Sequence, residues 1–356
     1  MKQSLTLSIR NASIRARVAR HPLIAFVVLA YTISWIAWHF MWFLDMGAVN
    51  GFSIIAGAGP ALSATIISAI LRPEQTDLSR EKRWRLFGMI WIGYLCFLAL
   101  RRFWATTGLT AIENAVVMDA VYPHLWAFLL DALAAATGAF FFAGVYSRWE
   151  GVRDFMRSFR LRERPVLWYW YLFAAGSYPA VVAIGNLISV SLGQPTPAMR
   201  ATGAWYWLVF DVILWYLAVL LGGGGLEETG WRGFALPQLQ KRYGPIRSSL
   251  ILAVIWAFWH WPMFWLGYYG GGPLGIFFHF LGVIPIAFLL TAIFNLTGGS
   301  IPVAILLHAS INTTPVFIPA STIATSICML MILAVSLWIW RSSKTFLPRT
   351  SDLHSS

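Results

Sequence analysis

Long apolar runs, separated by short polar and basic stretches, dominate the residue pattern of this chain of 356 residues. A helix that crosses a membrane needs about 20 predominantly apolar residues. The apolar windows that approach this length are residues 22–44, 51–71, 85–104, 121–147, 166–192, 204–226, 247–267, 274–296, 300–317 and 320–340. Window 85–104 is the weakest of them, since its charge-free part is short. The pattern predicts an all-α fold, a polytopic membrane bundle of about 8–10 transmembrane helices with a polar site inside.

Composition supports an integral, multi-pass membrane protein. The chain is 58% hydrophobic and 11% charged, whereas a soluble domain carries about 25% charged residues. Both cysteines, Cys96 and Cys328, lie in apolar runs, so neither a disulfide framework nor a cysteine-based metal site is predicted. The basic N-terminus precedes an apolar run that is too long for a signal peptide and lacks a clear cleavage site, which favours a retained first helix.

The basic residues are distributed unevenly between the two sides of the predicted bundle. Of 26 Lys and Arg residues, 23 fall on one side if the N-terminus is cytoplasmic, and Arg101, Arg102 and Arg200 fall on the other. The positive-inside rule requires such an asymmetry. We therefore predict that both termini are cytoplasmic. The net charge of +12 then reflects topology, and no nucleic-acid partner is predicted.

Charged residues within apolar segments are costly and usually face a cavity or a partner. The stretch "LGGGGLEETGWRGFALPQLQKRYGP" contains Glu227, Glu228 and Arg232. Glu228 and Arg232 are four residues apart and can pair on one helix face, which leaves Glu227 available for another role. The alternative is an interfacial salt bridge beside a solvated glutamate. The four glycines 222–225 are expected to loosen the helix and to permit close packing or water entry.

Two histidines extend this polar set. Glu227 lies 17 residues before Gly244, and His260, in "IWAFWHWPMF", lies 15 residues after Pro245. If the two helices run antiparallel from this turn, both side chains reach the same depth within ~3 Å. In "LLHASINTT", His308 and Asn312 are again four residues apart and share a helix face. Each of these residues could instead be a packing residue that hydrogen-bonds a neighbour.

The combination is sufficient for amide hydrolysis. A carboxylate and an imidazole at one depth can polarise a water molecule, while a second imidazole and a carboxamide can stabilise an oxyanion. Glu228, His260 and His308 are also a candidate ligand set for a divalent metal such as zinc, although the HExxH signature is absent. No GxSxG motif occurs, so serine catalysis is not predicted. Four further ionisable residues lie in apolar segments and have no partner at helical spacing: Asp131, His279, His39 and His124. No role is predicted for them.

Three ordered motifs carry a resemblance to a known family. "EETGWR" fits EExxxR, "WAFWH" approximates FxxxH and "HASIN" fits HxxxN. In this order they resemble the CPBP family of intramembrane proteases, which includes the type II CAAX prenyl endopeptidases, and the flanking sequence resembles bacterial members. The resemblance implies an intramembrane peptidase of the glutamate or metallo type, in a bacterial cell membrane, that acts on a peptide or protein substrate associated with the lipid bilayer.

The resemblance also assigns roles. Glu227 with His260 would activate the water, Arg232 would hold Glu228, and His308 with Asn312 would stabilise the oxyanion. This chain has Trp256 where the family usually has Phe, and region 74–150 adds two helices to the usual plan. The implied organisation is a basic cytoplasmic N-tail (1–21), N-terminal transmembrane helices with the added pair (22–203), a catalytic membrane core (204–340) and a cytoplasmic C-tail (341–356).

Two alternatives to a protease are open at this point. A relative that keeps the fold without the reaction would act as a membrane scaffold or as a bacteriocin immunity protein. A transporter would also contain broken helices and buried charges, but an inverted repeat, which would favour it, is not evident in the sequence.

Overall fold

A computed structural model describes residues 13–44, 53–76, 80–106, 124–159, 166–195 and 204–342. Its helices are α1 (Pro22–Phe43), α2 (Ser53–Gly57), α3 (Gly59–Leu71), α4 (Arg80–Thr106), α5 (His124–Phe142), α6 (Glu150–Arg157), α7 (Tyr169–Ser191), α8 (Trp205–Leu221), α9 (Gly223–Gly230), α10 (Leu236–Trp259), α11 (Trp261–Trp265), α12 (Gly272–Leu296), α13 (Ile301–Phe317) and α14 (Thr322–Ser342). A 3₁₀ turn, Ala143–Tyr146, follows α5, and a π-helical turn, Trp231–Ala235, joins α9 to α10.

The predicted class, a polytopic α-helical membrane bundle, is confirmed. Seven helical stretches of the described chain are long and apolar enough to cross a membrane. One of these stretches, Trp205–Trp265, contains two of the ten apolar windows. The windows at 51–71 and 300–317 form the shorter apolar helices α3 and α13, which have 13 and 17 residues.

Helix α9 lies at the centre of the bundle. It packs against α3, α8 and α13, while α10 packs against α12, and α7 packs against α13 and α14. Helices α4 and α5, which the sequence analysis predicted to be an added pair, pack mainly on each other. Residues of the central helix are accordingly almost inaccessible, from Gly224 through Gly230.

Two glycines set the chain direction around the centre. Gly222 has non-helical backbone angles (φ −107°, ψ −122°) and separates α8 from α9. Gly244 has a φ of +70° within the range of α10 and is followed by Pro245. Glycine adopts a positive φ without strain. This conformation at Gly244 allows the chain to fold back. The turn predicted at Gly244–Pro245 is confirmed.

Basic segments from distant parts of the sequence meet at one end of the bundle. Arg15 donates to the carbonyl of Leu71 over 3.1 Å and lies 3.5 Å from the Glu74 carboxylate. Arg72 pairs with Glu150 at 3.2 Å and with Asp154. The N-terminal segment, the loop after α3 and helix α6 therefore share one end, as the charge distribution requires. Arg200 lies outside the described residues.

Both termini are predicted to face the cytoplasm. Topology reporters fused at Ser356 and inserted near Gly271 should give opposite signals, because the positive-inside rule places the basic segments, and with them the C-tail, on the cytoplasmic side. A reporter inserted near Arg200 is the matched control and should agree with the one near Gly271. Equal signals at Ser356 and Gly271 would contradict the predicted topology.

Candidate active site

The two glutamates lie on α9, whose backbone packs directly against neighbouring backbone with no side chain between them. A Cβ atom built on Gly57 would lie 2.8 Å from the Cα of Gly223, and one built on Gly230 would lie 2.4 Å from Pro60. Neither position has room for a side chain, so glycine permits the close packing that the sequence predicted. The consequence is that Glu227 and Glu228 are held deep in the bundle, 6% and 0% exposed.

Glu228 has two partners, both on one carboxylate oxygen, while its Oε2 has no hydrogen-bond partner in the described part of the chain. Its Oε1 accepts a hydrogen bond from Arg232 over 2.8 Å, and the Nδ1 of His308 lies 2.8 Å from the same oxygen. The i,i+4 pairing with Arg232 is confirmed, although Arg232 stands in a π-helical turn, a feature that is frequent at functional sites. Because both side chains are fully buried, the alternative of an interfacial salt bridge beside a solvated glutamate is wrong.

Trp256 connects the remaining members of the site. Its indole Nε1 donates a 2.8 Å hydrogen bond to Oε2 of Glu227. Its ring lies 4.8 Å from the guanidinium carbon of Arg232, in cation–π geometry, and 5.3 Å from the ring of His308. The ring of His260 is 5.9 Å away. Sequence reasoning noted Trp256 only as a departure from Phe. The available signal was its indole N–H, which needs an acceptor when buried.

His260 is oriented by its own helix. Its Nδ1 lies 3.0 Å from the carbonyl oxygen of Trp256. A carbonyl only accepts, so Nδ1 carries the proton and Nε2 of the neutral ring is the acceptor. His260 and Glu227 do not hydrogen-bond each other; they contact opposite parts of Trp256. Water activation by the two together would therefore need a water molecule that spans this separation.

Two of the four residues that had no partner at helical spacing, His279 and Asp131, acquire partners on other elements. The ring of His279, on α12, lies 5.0 Å from that of His260 and 5.7 Å from that of Tyr269. Asp131 pairs with Arg102 of α4. These contacts join elements far apart in sequence, so no local spacing could have indicated them.

His308 and Asn312 have different environments. The ring of His308 is buried, and a Cβ atom on Gly224 would lie 3.2 Å from it. Asn312 is exposed and lines a cavity of about 200 Å³ together with Gly223 and Gly224. The carboxamide of Asn312 can thus reach a molecule in the cavity. The imidazole of His308 does not line the cavity and lies next to Gly224, which does.

The proposed metal donors, Glu228, His260 and His308, are not arranged as a metal site. Glu228 and His308 share a hydrogen bond, and the ring of His260 contacts that of Trp256 at 5.9 Å and makes no hydrogen bond to either of them. Within the described residues, no group of three or more His, Cys, Asp or Glu side chains is placed to hold a metal ion. These donors do not fit zinc in this arrangement, and no chemical step is derived through a metal.

The hydrogen bond from Trp256 to Glu227 should contribute measurably to stability. Trp256→Phe keeps an aromatic ring beside Arg232 and His308 but removes the donor. A hydrogen bond to a charged group contributes about 1.5–3 kcal/mol, so thermal unfolding in detergent should begin at a lower temperature.

Trp259→Phe is the matched control for this substitution. Trp259 lies on the same helix and is equally buried, but its Nε1 has no hydrogen-bond partner in the described part of the chain. Both substitutions remove the same volume and keep an aromatic ring, and Trp256→Phe alone also removes a side-chain hydrogen bond. An equal loss of stability in the two variants would show that the Trp256 donor contributes nothing.

Taken together, the fold and the site define a polytopic α-helical membrane protein with a buried cluster of two glutamates, an arginine and two histidines. Residues 209–314, which contain all six predicted site residues, match the family described as "Type II CAAX prenyl endopeptidase Rce1-like". The resemblance to the CPBP family drawn from the three motifs is confirmed over this segment.

One curated relative is "CAAX prenyl protease 2" from Methanococcus maripaludis. It is 31% identical to this chain over 85 residues. The aligned segment covers 24% of this chain and 31% of the relative. The chain thus spans about a third of that protein's length in the match.

Proposed function

We propose that this protein is an intramembrane endopeptidase that hydrolyses a peptide bond with a water activated by Glu227. The observation that carries the proposal is that two adjacent buried carboxylates have different hydrogen-bond partners. Glu228 is matched by a cation and an imidazole, whereas Glu227 receives one hydrogen bond from a neutral indole. Glu228 is therefore the structural anion, held by a cation, whereas Glu227 has no cation hydrogen-bonded to it among the described residues and its Oε1 lies beside Gly223 at the cavity, where it can take a proton.

The reaction needs one proton to move twice. Glu227 removes a proton from water as the hydroxide oxygen bonds to the carbonyl carbon of the substrate, and the carbonyl oxygen becomes an oxyanion. The same proton then passes from Glu227 to the leaving nitrogen as the C–N bond breaks. His260, with Nε2 as acceptor, can hold the second hydrogen of the water. The products are a carboxylic acid and an amine, and Glu227 is regenerated.

Asn312 and His308 are the candidates for oxyanion stabilisation. The amide N–H of Asn312 faces the cavity and can donate directly. His308 already donates from Nδ1 to Glu228, so it can donate from Nε2 only in its doubly protonated form. Donors fixed before the reaction and shielded from water are the most effective way to stabilise such a charge.

The location of the site favours a substrate associated with the membrane. All six residues lie on helices of the apolar bundle, and the bilayer is the surrounding solvent. A peptide or protein segment held at the membrane is therefore the proposed substrate.

The second candidate is a non-catalytic relative that acts as a membrane scaffold or immunity protein. One observation favours it: Glu227 and His260 do not contact each other directly. Purified protein in detergent, incubated with a peptide library and analysed by mass spectrometry, distinguishes the two candidates. We expect defined cleavage products from the natural protein and none from Glu227→Ala. Identical products from both, or products from neither, would contradict the protease.

Activity is expected to persist without metal ions, because the donor set does not assemble a metal site. Dialysis against EDTA, followed by dialysis into metal-free buffer, should leave the rate of peptide cleavage and the unfolding temperature unchanged. A loss of both that zinc restores would show that Glu228, His260 and His308 rearrange to bind metal.

A further inference from the structure

The cavity that Asn312 lines has a wall that lies outside the family segment. It borders Gly223 and Gly224 on one side and α8 on another, where Trp215 and Val219 contribute. Helix α4 forms a further wall with Tyr94, Phe97, Leu98 and Arg101. Helix α4 is one of the two added helices, so this chain has built part of the cavity from its own additional sequence.

Two hydrogen bonds hold α4 against α8. The Tyr94 hydroxyl donates over 2.8 Å to the carbonyl of Leu221, the last residue of α8 before the break at Gly222. Further along α4, the Trp104 indole donates over 2.6 Å to the carboxylate of Asp211. Both acceptors lie on α8, and Leu221 directly precedes the glycines that carry the site. The cavity wall is thus tied to the backbone of the active-site segment.

Two glycines that line the cavity, Gly223 and Gly224, also lie beside two of the proposed catalytic groups. A Cβ atom on Gly223 would lie 3.4 Å from Oε1 of Glu227, and one on Gly224 would lie 3.2 Å from the His308 ring. The absence of side chains at these positions brings the carboxylate and the imidazole close to the edge of the cavity. Asn312, the candidate oxyanion donor, borders the cavity itself.

We propose that this cavity binds a large apolar side chain of the substrate, next to the bond that is cleaved, and that α4 sets the size of that side chain. This inference rests on the proposed peptidase function. The lining is mostly aliphatic and aromatic, with Arg101 and Asn312 as its polar members, so the part of the cavity next to Leu98 suits a leucine-like or phenylalanine-like side chain. A pocket of this kind separates side chains that differ by a methylene about 10- to 200-fold.

Two substitutions at Leu98 test the pocket in opposite directions. Leu98→Trp fills the cavity, and Leu98→Ala enlarges it. The control is Ile92→Trp, since Ile92 lies on the same helix but is 59% exposed on the outer face. Each variant is first checked for thermal unfolding. The substrates are a panel of otherwise identical peptides, with Ala, Val, Leu, Phe or Trp at one position beside the cleaved bond.

The expected result is a shift in preference without a general loss of activity. Leu98→Trp should lower kcat/KM for the Leu and Phe peptides by about 10- to 100-fold and leave that for the Ala peptide close to the natural protein's value. Leu98→Ala should shift the preference towards Phe and Trp. Ile92→Trp should behave as the natural protein. If Leu98→Trp fails to fold, the shift in Leu98→Ala alone decides the outcome.

Peptide binding separates the pocket from the proposed reaction. The dissociation constants of the same peptides are measured with Glu227→Gln, with and without the Leu98 substitutions. Cleavage with an unchanged preference in both Leu98 variants overturns the pocket and leaves the peptidase intact. Size-dependent binding that Leu98 controls, without cleavage by the natural protein, overturns the peptidase and keeps the pocket. Neither cleavage nor binding overturns both.

Discussion

Glu227→Gln is expected to lower kcat for peptide cleavage by about 10²–10⁴, the usual contribution of a general base. The carboxamide has nearly the same shape, and its oxygen can still accept the hydrogen bond from Trp256 that Glu227 accepts at 2.8 Å. It cannot take a proton from water. Because the local packing and the hydrogen bond both persist, the variant should fold normally and unfold at a temperature close to that of the natural protein.

The measurement combines steady-state cleavage with thermal unfolding on the same preparation. Gln238→Glu is a suitable charge control, since Gln238 lies away from the site, is only partly buried and donates to the backbone of Phe234. It changes a carboxamide to a carboxylate and should leave kcat unchanged. Near-full activity of folded Glu227→Gln would show that another group is the base.

Arg232→Ala is expected to destabilise the protein by about 3–5 kcal/mol, the cost of breaking a buried ion pair by removing one partner. Arg232 and Glu228 are both fully buried, with 2.8 Å between Nη1 and Oε1. The substitution leaves the carboxylate of Glu228 with His308 as its remaining partner and also removes the cation from the face of Trp256. We expect low expression and a clear drop in the unfolding temperature.

Arg85→Ala is the matched control for Arg232→Ala. Arg85 pairs with Glu81 at the same i,i+4 spacing and at 2.9 Å, but the two side chains are 70% and 77% exposed. Exposed pairs contribute about 0–1 kcal/mol, so this variant should be nearly as stable as the natural protein. A natural-like unfolding temperature for Arg232→Ala would mean that Glu228 is neutralised by another group and that the pair is not structural.

Different outcomes for these two variants would separate the catalytic role of Glu227 from the structural role of the Arg232–Glu228 pair. Glu227→Gln should be folded and inactive, whereas Arg232→Ala should be unstable. The two glutamates are neighbours in sequence, and their separate roles follow only from their partners. Trp256 is hydrogen-bonded to Glu227, whereas Arg232 and His308 are hydrogen-bonded to Glu228.

Local features of the sequence were sufficient for much of the fold. The apolar runs predict where helices form because a run of about 20 apolar residues is stable only across a bilayer or in a core. Gly244 and Pro245 predict the turn because a positive φ and a missing amide hydrogen both interrupt a helix. Spacing of four residues predicts the pairing of Glu228 with Arg232 because such positions are neighbours on a helix.

Contacts between helices could not be predicted in the same way. The depth argument placed Glu227 and His260 side by side, but depth does not fix rotation about the helix axis. In the structure Trp256, one turn before His260, is the residue that meets Glu227. A rotation of about 100° per residue decides which of several residues at similar depth faces a partner.

By itself, the sequence determined the class of the protein, the helical segments, the basic side of the bundle and the six residues of the candidate site, since each depends on composition or on spacing within one helix. Only the tertiary structure decided that Trp256 holds Glu227, that His308 shares Glu228 with Arg232, and that α4 walls the cavity beside Gly223 and Gly224. These contacts depend on how helices from distant parts of the chain are rotated and packed. That packing depends on all the helix–helix interfaces together, so no short stretch of the sequence reveals it.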